Sequence, residues 1–123
     1  MAAVSFAGYA AVFDAPDRGG DVIRRGAFAG AGSVPLLWQH RGRPIGTVSV
    51  AEDARGLRAI GSIEDPELAA LVAAGAVDGL SIGYRALEAR HGARRELRRV
   101  ALLEVSLVAQ PMQPLARVHA VSG

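Results

Sequence analysis

Three residue types able to run acyl transfer together stand far apart in this 123-residue chain. Ser81 lies in Gly79-Leu80-Ser81-Ile82-Gly83, a literal Gly-x-Ser-x-Gly. His40 closes the short apolar run VPLLWQH, and Glu104 sits inside VALLEVSLVAQP. A serine hydroxyl is nearly unreactive at neutral pH and needs a general base within hydrogen-bond reach. Histidine is the usual base, because its pKa lies near the working pH. A carboxylate against the imidazole can orient it and stabilise its charged form.

The Gly-x-Ser-x-Gly pattern also spells the nucleophile elbow of α/β-hydrolases, in which the serine follows a strand and opens a helix. Here the order is reversed. The helical signal comes before Ser81, and strand-like sequence follows it. An elbow enzyme would place its acid and then its histidine after the serine, which leaves only His91 and His119. His91 falls in a predicted hairpin tip and His119 near the chain end. The elbow reading fails.

Each remaining candidate has a plainer role to weigh against catalysis. A histidine at a strand end is commonly structural, although rigid neighbours at a strand mouth suit a site. A carboxylate in an apolar run is costly to bury unless paired or hydrogen-bonded. Glu104 therefore reads equally as an orienting acid or as an ion-pair partner of an Arg. Strand alternation groups Val100, Leu102, Glu104, Ser106 and Val108 on one face.

The elements that must position these residues are short and mostly extended. Residues 4–13, 21–25, 34–40, 45–52, 56–63, 80–90 and 98–109 read as strands separated by Gly-rich or polar turns. The helix signal is Asp65-Pro66-Glu67 ahead of LAALVAAG. Asp65 can cap, Pro66 suits the first position, and Glu67 faces the positive end of the dipole. Leu68, Leu71 and Val72 are expected to share its buried face, and Gly75 to close it. Seven strands and one clear helix predict a mainly β, barrel- or sandwich-like domain.

Composition narrows the field. A chain of this length with 50% hydrophobic residues fits one domain over 1–123 with its own core. There is no cysteine, which excludes disulfides, thiolate metal sites and a Cys nucleophile, and fits an intracellular protein. No apolar run reaches the ~18 residues of a membrane span, and the first residues lack a basic signal-peptide region. All 14 basic residues are Arg, which codon bias in a GC-rich genome explains. The net charge of +2 is too small to argue for nucleic acid. The one basic cluster, ARHGARRELRR at residues 89–99, reads as a solvated hairpin tip, since no aromatics are interleaved as stacking platforms.

Taken together, four segments in order resemble the tailed-phage prohead proteases, the capsid-maturation serine proteases. They are GYAAVFDAPDRGGDVIRRGAF with Gly20, Asp21 and Gly26-Ala27-Phe28, then VPLLWQHRGRPIGTV, GAVDGLSIGY and EVSLVAQPMQPLA. The resemblance spans residues 8–117. It implies a single-domain β-barrel with a few helices, similar to the herpesvirus assembly proteases. In that group the base precedes the nucleophile and the third member follows on a later strand. His40 carries over as general base, Ser81 as nucleophile and Glu104 as orienting acid, with Asp21 and His119 as reserves for the third place.

The resemblance further implies cleavage of scaffold-like segments from the major capsid protein, and of the protease itself, inside the immature shell in the host cytoplasm. The capsid protein or its scaffold segment is then the partner, a homodimer is admissible, and neither nucleic acid nor a membrane is involved. No metal or cofactor is required. The competing reading is a catalytically silent assembly factor that binds capsid protein through the same barrel. For the oxyanion hole the loop AQPMQP offers the amides of Gln110, Met112 or Gln113, whereas Pro111 and Pro114 have none. A stiff Pro-rich turn is the plainer reading of that loop. Gly83 is expected to permit close backbone approach, and Trp38 to pack behind His40.

Overall fold

A computed structural model describes residues 3–123. Among them, eight strands and one helix follow in the order β1 (Val4–Val12), β2 (Val22–Ile23), β3 (Ser33–Trp38), β4 (Arg41–Glu52), β5 (Gly56–Ile63), α1 (Pro66–Ala73), β6 (Gly79–Arg90), β7 (Glu96–Val108) and β8 (Val118–Ser122). Seven of these strands match the sequence expectation within a few residues, and β8 is additional.

The long strand β7 organises the sheet. Along one edge it pairs antiparallel with β6. Along the other it takes β2 at its start and β3 near its end, both parallel. From β3 the sheet continues through β4, β5, β1 and β8, all antiparallel. The sheet curls but is not a closed barrel. The start of β6 meets the segment just before β8 at an isolated bridge of Gly79 with Arg117, reinforced by the Leu80 amide donating to the Ala116 carbonyl over 3.0 Å.

The inner face of the sheet carries the core. Phe6, Leu36, Val48, Leu57, Leu80 and Leu107 are fully buried there. At roughly 1.5–3 kcal/mol for each large side chain removed from water, burial supplies the driving force. Helix α1 begins as its sequence predicts. Asp65 accepts from the amides of Glu67 and Leu68, Pro66 occupies the first turn, and Gly75 follows the C-terminus at φ +77°. Its buried stripe differs from expectation. Ala69 and Val72 are buried with Leu68 packed beside them, while Leu71 is exposed. Positions 68, 69 and 72 form one stripe at helical spacing, and Leu71 lies off it.

Candidate active site

The β6–β7 register explains why glycines flank Ser81. Ser81 is paired with Ser106, Gly83 with Glu104 and Gly79 with Val108. Directly opposed residues share a face, so Gly79, Ser81 and Gly83 stand on the same side as Glu104 and Ser106. The alternate residues Leu80, Val105 and Leu107 turn into the core. A Cβ at Gly83 would run into the Glu104 carboxylate, and one at Gly79 would come within 2.8 Å of Pro111. The motif is therefore a flat strand with clearance on both sides of its serine, not an elbow. Gly83 makes room for a side chain rather than for the neighbouring backbone.

The shared face ends sooner than simple alternation predicts. The register shifts between Gly83 and Tyr84, so that Glu104 pairs with Gly83 but Leu102 pairs with Tyr84. A bulge at Leu103 resets the parity. Val100 consequently joins the core with Val105 and Leu107, and Leu102 packs against it, away from Glu104.

His40 does not end a strand. Strand β3 stops at Trp38, which is paired with Arg41, and Gln39 and His40 form the two-residue turn into β4. Both have left-handed backbones, at φ 54° and 60°. A two-residue hairpin turn with positive φ at both positions normally favours Asn-Gly, and a side chain there costs of order 1–2 kcal/mol per residue. Strained positions of this kind persist where the surroundings hold them, commonly at functional sites. Here the Gln39 amide donates to the Leu107 carbonyl over 2.9 Å, and the His40 amide donates to Ser106 Oγ over 3.1 Å. Trp38 packs against the core beneath this turn.

Held in this way, His40 Nδ1 lies 2.7 Å from Glu104 Oε2. The other carboxylate oxygen, Oε1, accepts from Ser106 Oγ over 2.8 Å. Glu104 has no Arg partner among the described residues, so its ion-pair reading finds no support. With Nδ1 engaged by the carboxylate, Nε2 is the nitrogen available to a hydroxyl. His40 and Ser81 line one cavity of about 200 Å³, whose walls include Tyr84, Asp17, Asp21 and Met112. Among the described residues no hydrogen bond links Ser81 to the imidazole. Such bonds are often long without substrate and tighten in the reactive complex.

The reserve residues have other partners. Asp21 lines the same cavity, but its carboxylate accepts from Arg95 Nη2 over 2.7 Å. His119 lies on β8, its ring 5.7 Å from that of Tyr9. His91 sits in the exposed turn between β6 and β7. Tyr84 is a cavity residue that the sequence did not single out. Burial, and then the charges of Asp21 and Asp17, raise its phenol above the ordinary value of 10.0.

The loop after β7 reaches the site from the other side. Pro111 is fully buried and packs on Gly79, which accounts for the stiff turn. Buried Gln113 accepts from the Val12 amide over 2.8 Å and donates to the carbonyls of Val12 and Ala15 over 2.9 and 3.1 Å. The backbone amides of Gln110, Met112 and Gln113 have no acceptor among the described residues.

Comparison with known proteins gives this arrangement a context. The model of the Caudovirus prohead serine proteases matches residues 1–123. The chain belongs to that family. Among solved structures, the chain is similar to KSHV protease in complex with a hexapeptide phosphonate inhibitor. The TM-score is 0.65 at 13% identity, over 99% of this chain and 66% of the other. Varicella-zoster virus protease also matches, with TM-score 0.49 and 21% identity, over 82% of this chain and 58% of that one. The chain thus spans at most about two thirds of these relatives. No curated protein matches it. The family and the fold agree with what the four sequence segments imply, save that the barrel is left open. No helix among the described residues is long and apolar enough to cross a membrane.

Proposed function

We propose that the chain is a serine endopeptidase of capsid maturation, with Ser81 as nucleophile, His40 as general base and Glu104 as orienting acid. The observation that carries this reading is the 2.7 Å His40–Glu104 contact beside the cavity that also holds Ser81. Nε2 of His40 takes the Ser81 proton as Oγ attacks the scissile carbonyl carbon. The imidazolium, steadied by the Glu104 carboxylate, then gives that proton to the leaving amine as the C–N bond breaks. Water, deprotonated by the same nitrogen, resolves the acyl-enzyme to a free acid and regenerates the hydroxyl. The amides of Gln110, Met112 and Gln113 are the candidate donors to the tetrahedral oxyanion.

Scaffold-like segments of the major capsid protein are the substrate, cut inside the immature shell in the host cell, and the chain also cuts itself. Family membership supports a capsid-protein substrate. The test is co-expression of capsid precursor with the wild-type chain or with Ser81→Ala. The variant should fold, leave the precursor uncut and lose labelling by a fluorophosphonate. Processing at the wild-type rate by Ser81→Ala would remove the nucleophile from this scheme. A folded wild-type chain that binds capsid protein yet never reacts with the probe would favour the silent assembly factor instead.

A further inference from the structure

We propose that Ser106 is a positioning residue for the His40–Glu104 pair, an inference that rests on the catalytic reading above. Ser106 is fully buried in β7, directly opposite Ser81. A buried hydroxyl in a strand usually satisfies itself on nearby backbone. This one spends both of its capacities on the site. It donates to Glu104 Oε1 over 2.8 Å and accepts from the His40 amide over 3.1 Å.

The two bonds have different consequences. Fixing Oε1 sets the rotation of the carboxylate, so that Oε2 faces Nδ1 of the imidazole. Anchoring the His40 amide stabilises a backbone at φ 60°, a region uncommon for residues other than glycine. One hydroxyl thus ties the main chain of the base to the side chain of its acid. Both are then registered against the strand pair that carries Ser81. The alternation of β7 already placed Ser106 beside Glu104. What the sequence lacked was the turn that brings the His40 amide to the same oxygen.

The experiment compares wild type, Ser106→Ala, Ser106→Thr and Ser81→Ala. It uses fluorophosphonate labelling rate, thermal melting, and the low-field proton resonance of the His40 Nδ1–H. Ser106→Ala should melt as a folded protein, label about 10–100-fold more slowly, as a misplaced catalytic group does, and lose the low-field resonance. Ser106→Thr, which keeps a hydroxyl, should recover most of both. The proposal is overturned if folded Ser106→Ala labels at the wild-type rate with its resonance intact, or if folded Ser106→Thr is as slow as Ser106→Ala. Should Ser106→Ala not fold, the threonine variant decides alone: a retained resonance and rate support the role, and their loss overturns it. The resonance is also recorded in Ser81→Ala with and without Ser106→Ala, where it does not depend on turnover. Labelling of Ser81→Ala at the wild-type rate would overturn the nucleophile assignment, while that resonance still decides the role of Ser106.

Discussion

At the scale of single residues, the space above Gly83 matters as much as the groups around it. Glu104 reaches His40 across ground that a methyl group would occupy. Gly83→Ala should therefore push the carboxylate off Nδ1 while leaving β6 paired with β7. A displacement of about 1 Å at such a site can cost about 10²-fold in rate. The expected result is a loss of that order in peptide cleavage with a melting temperature close to that of wild type. Full activity in Gly83→Ala would show that the His40–Glu104 contact is dispensable. Side-chain chemistry singled out His40, Ser81 and Glu104 as candidates, since each stands out against its apolar run, but their roles came only with the family resemblance. Tyr84 was not singled out, because an aromatic in a β segment reads as core until a cavity opens beside it.

At the scale of elements, the loop after β7 depends on one side chain. Gln113 copies a strand partner: its carbonyl oxygen takes the Val12 amide, and its amide group serves Val12 and Ala15. Gln113→Leu would keep the volume but strand buried backbone groups at the end of β1. At about 1–3 kcal/mol for an unsatisfied buried group, the loss should be about 2–4 kcal/mol. Urea unfolding should show it as a lower midpoint with an unchanged slope. Because Met112 adjoins Gln113 in the cavity wall, slower labelling of Ser81 should accompany it. Strands β1, β6 and β7 and helix α1 could be read in advance because alternation and a cap–proline pair are local signals. Strand β8 could not. Four of its five residues are exposed and it pairs only with β1, so burial left no pattern in its sequence. The bulge at Leu103 was equally hidden, because register is a property of two strands and neither one encodes it alone.

At the scale of the whole molecule, titration offers a check on packing that needs no substrate. The chain has two tyrosines, and both phenols are raised above 10.0. Tyr9 is raised chiefly by its hydrogen bond to Asp53, and Tyr84 chiefly by burial. A raised folded value means stability that is complete below about pH 10 and is lost as the pH rises through that value. Asp53, held below 3.8 chiefly by Tyr9, and Glu96, held below 4.5 chiefly by Arg24, act oppositely. Their contribution is present above those values and disappears as the pH falls through the lowered ones. Absorbance at 295 nm should therefore show both phenols half-ionised only above pH 10 in the folded protein. The melting temperature should fall on either side of a plateau between about pH 5 and 10. Tyr9→Phe should narrow the acid and alkaline losses together, and unchanged limbs would place the Tyr9–Asp53 bond outside the folded ensemble.

The placing of β7 between β6 and β3 has a temporal consequence. As the polypeptide emerges from the ribosome, the imidazole on the β3–β4 turn and then the alcohol on β6 are made before β7, the neighbour that β3 and β6 share. Only when the segment through Val108 has been synthesised can it slot between them and supply the carboxylate. Under the proposed mechanism, a half-made protease is harmless to whatever surrounds it.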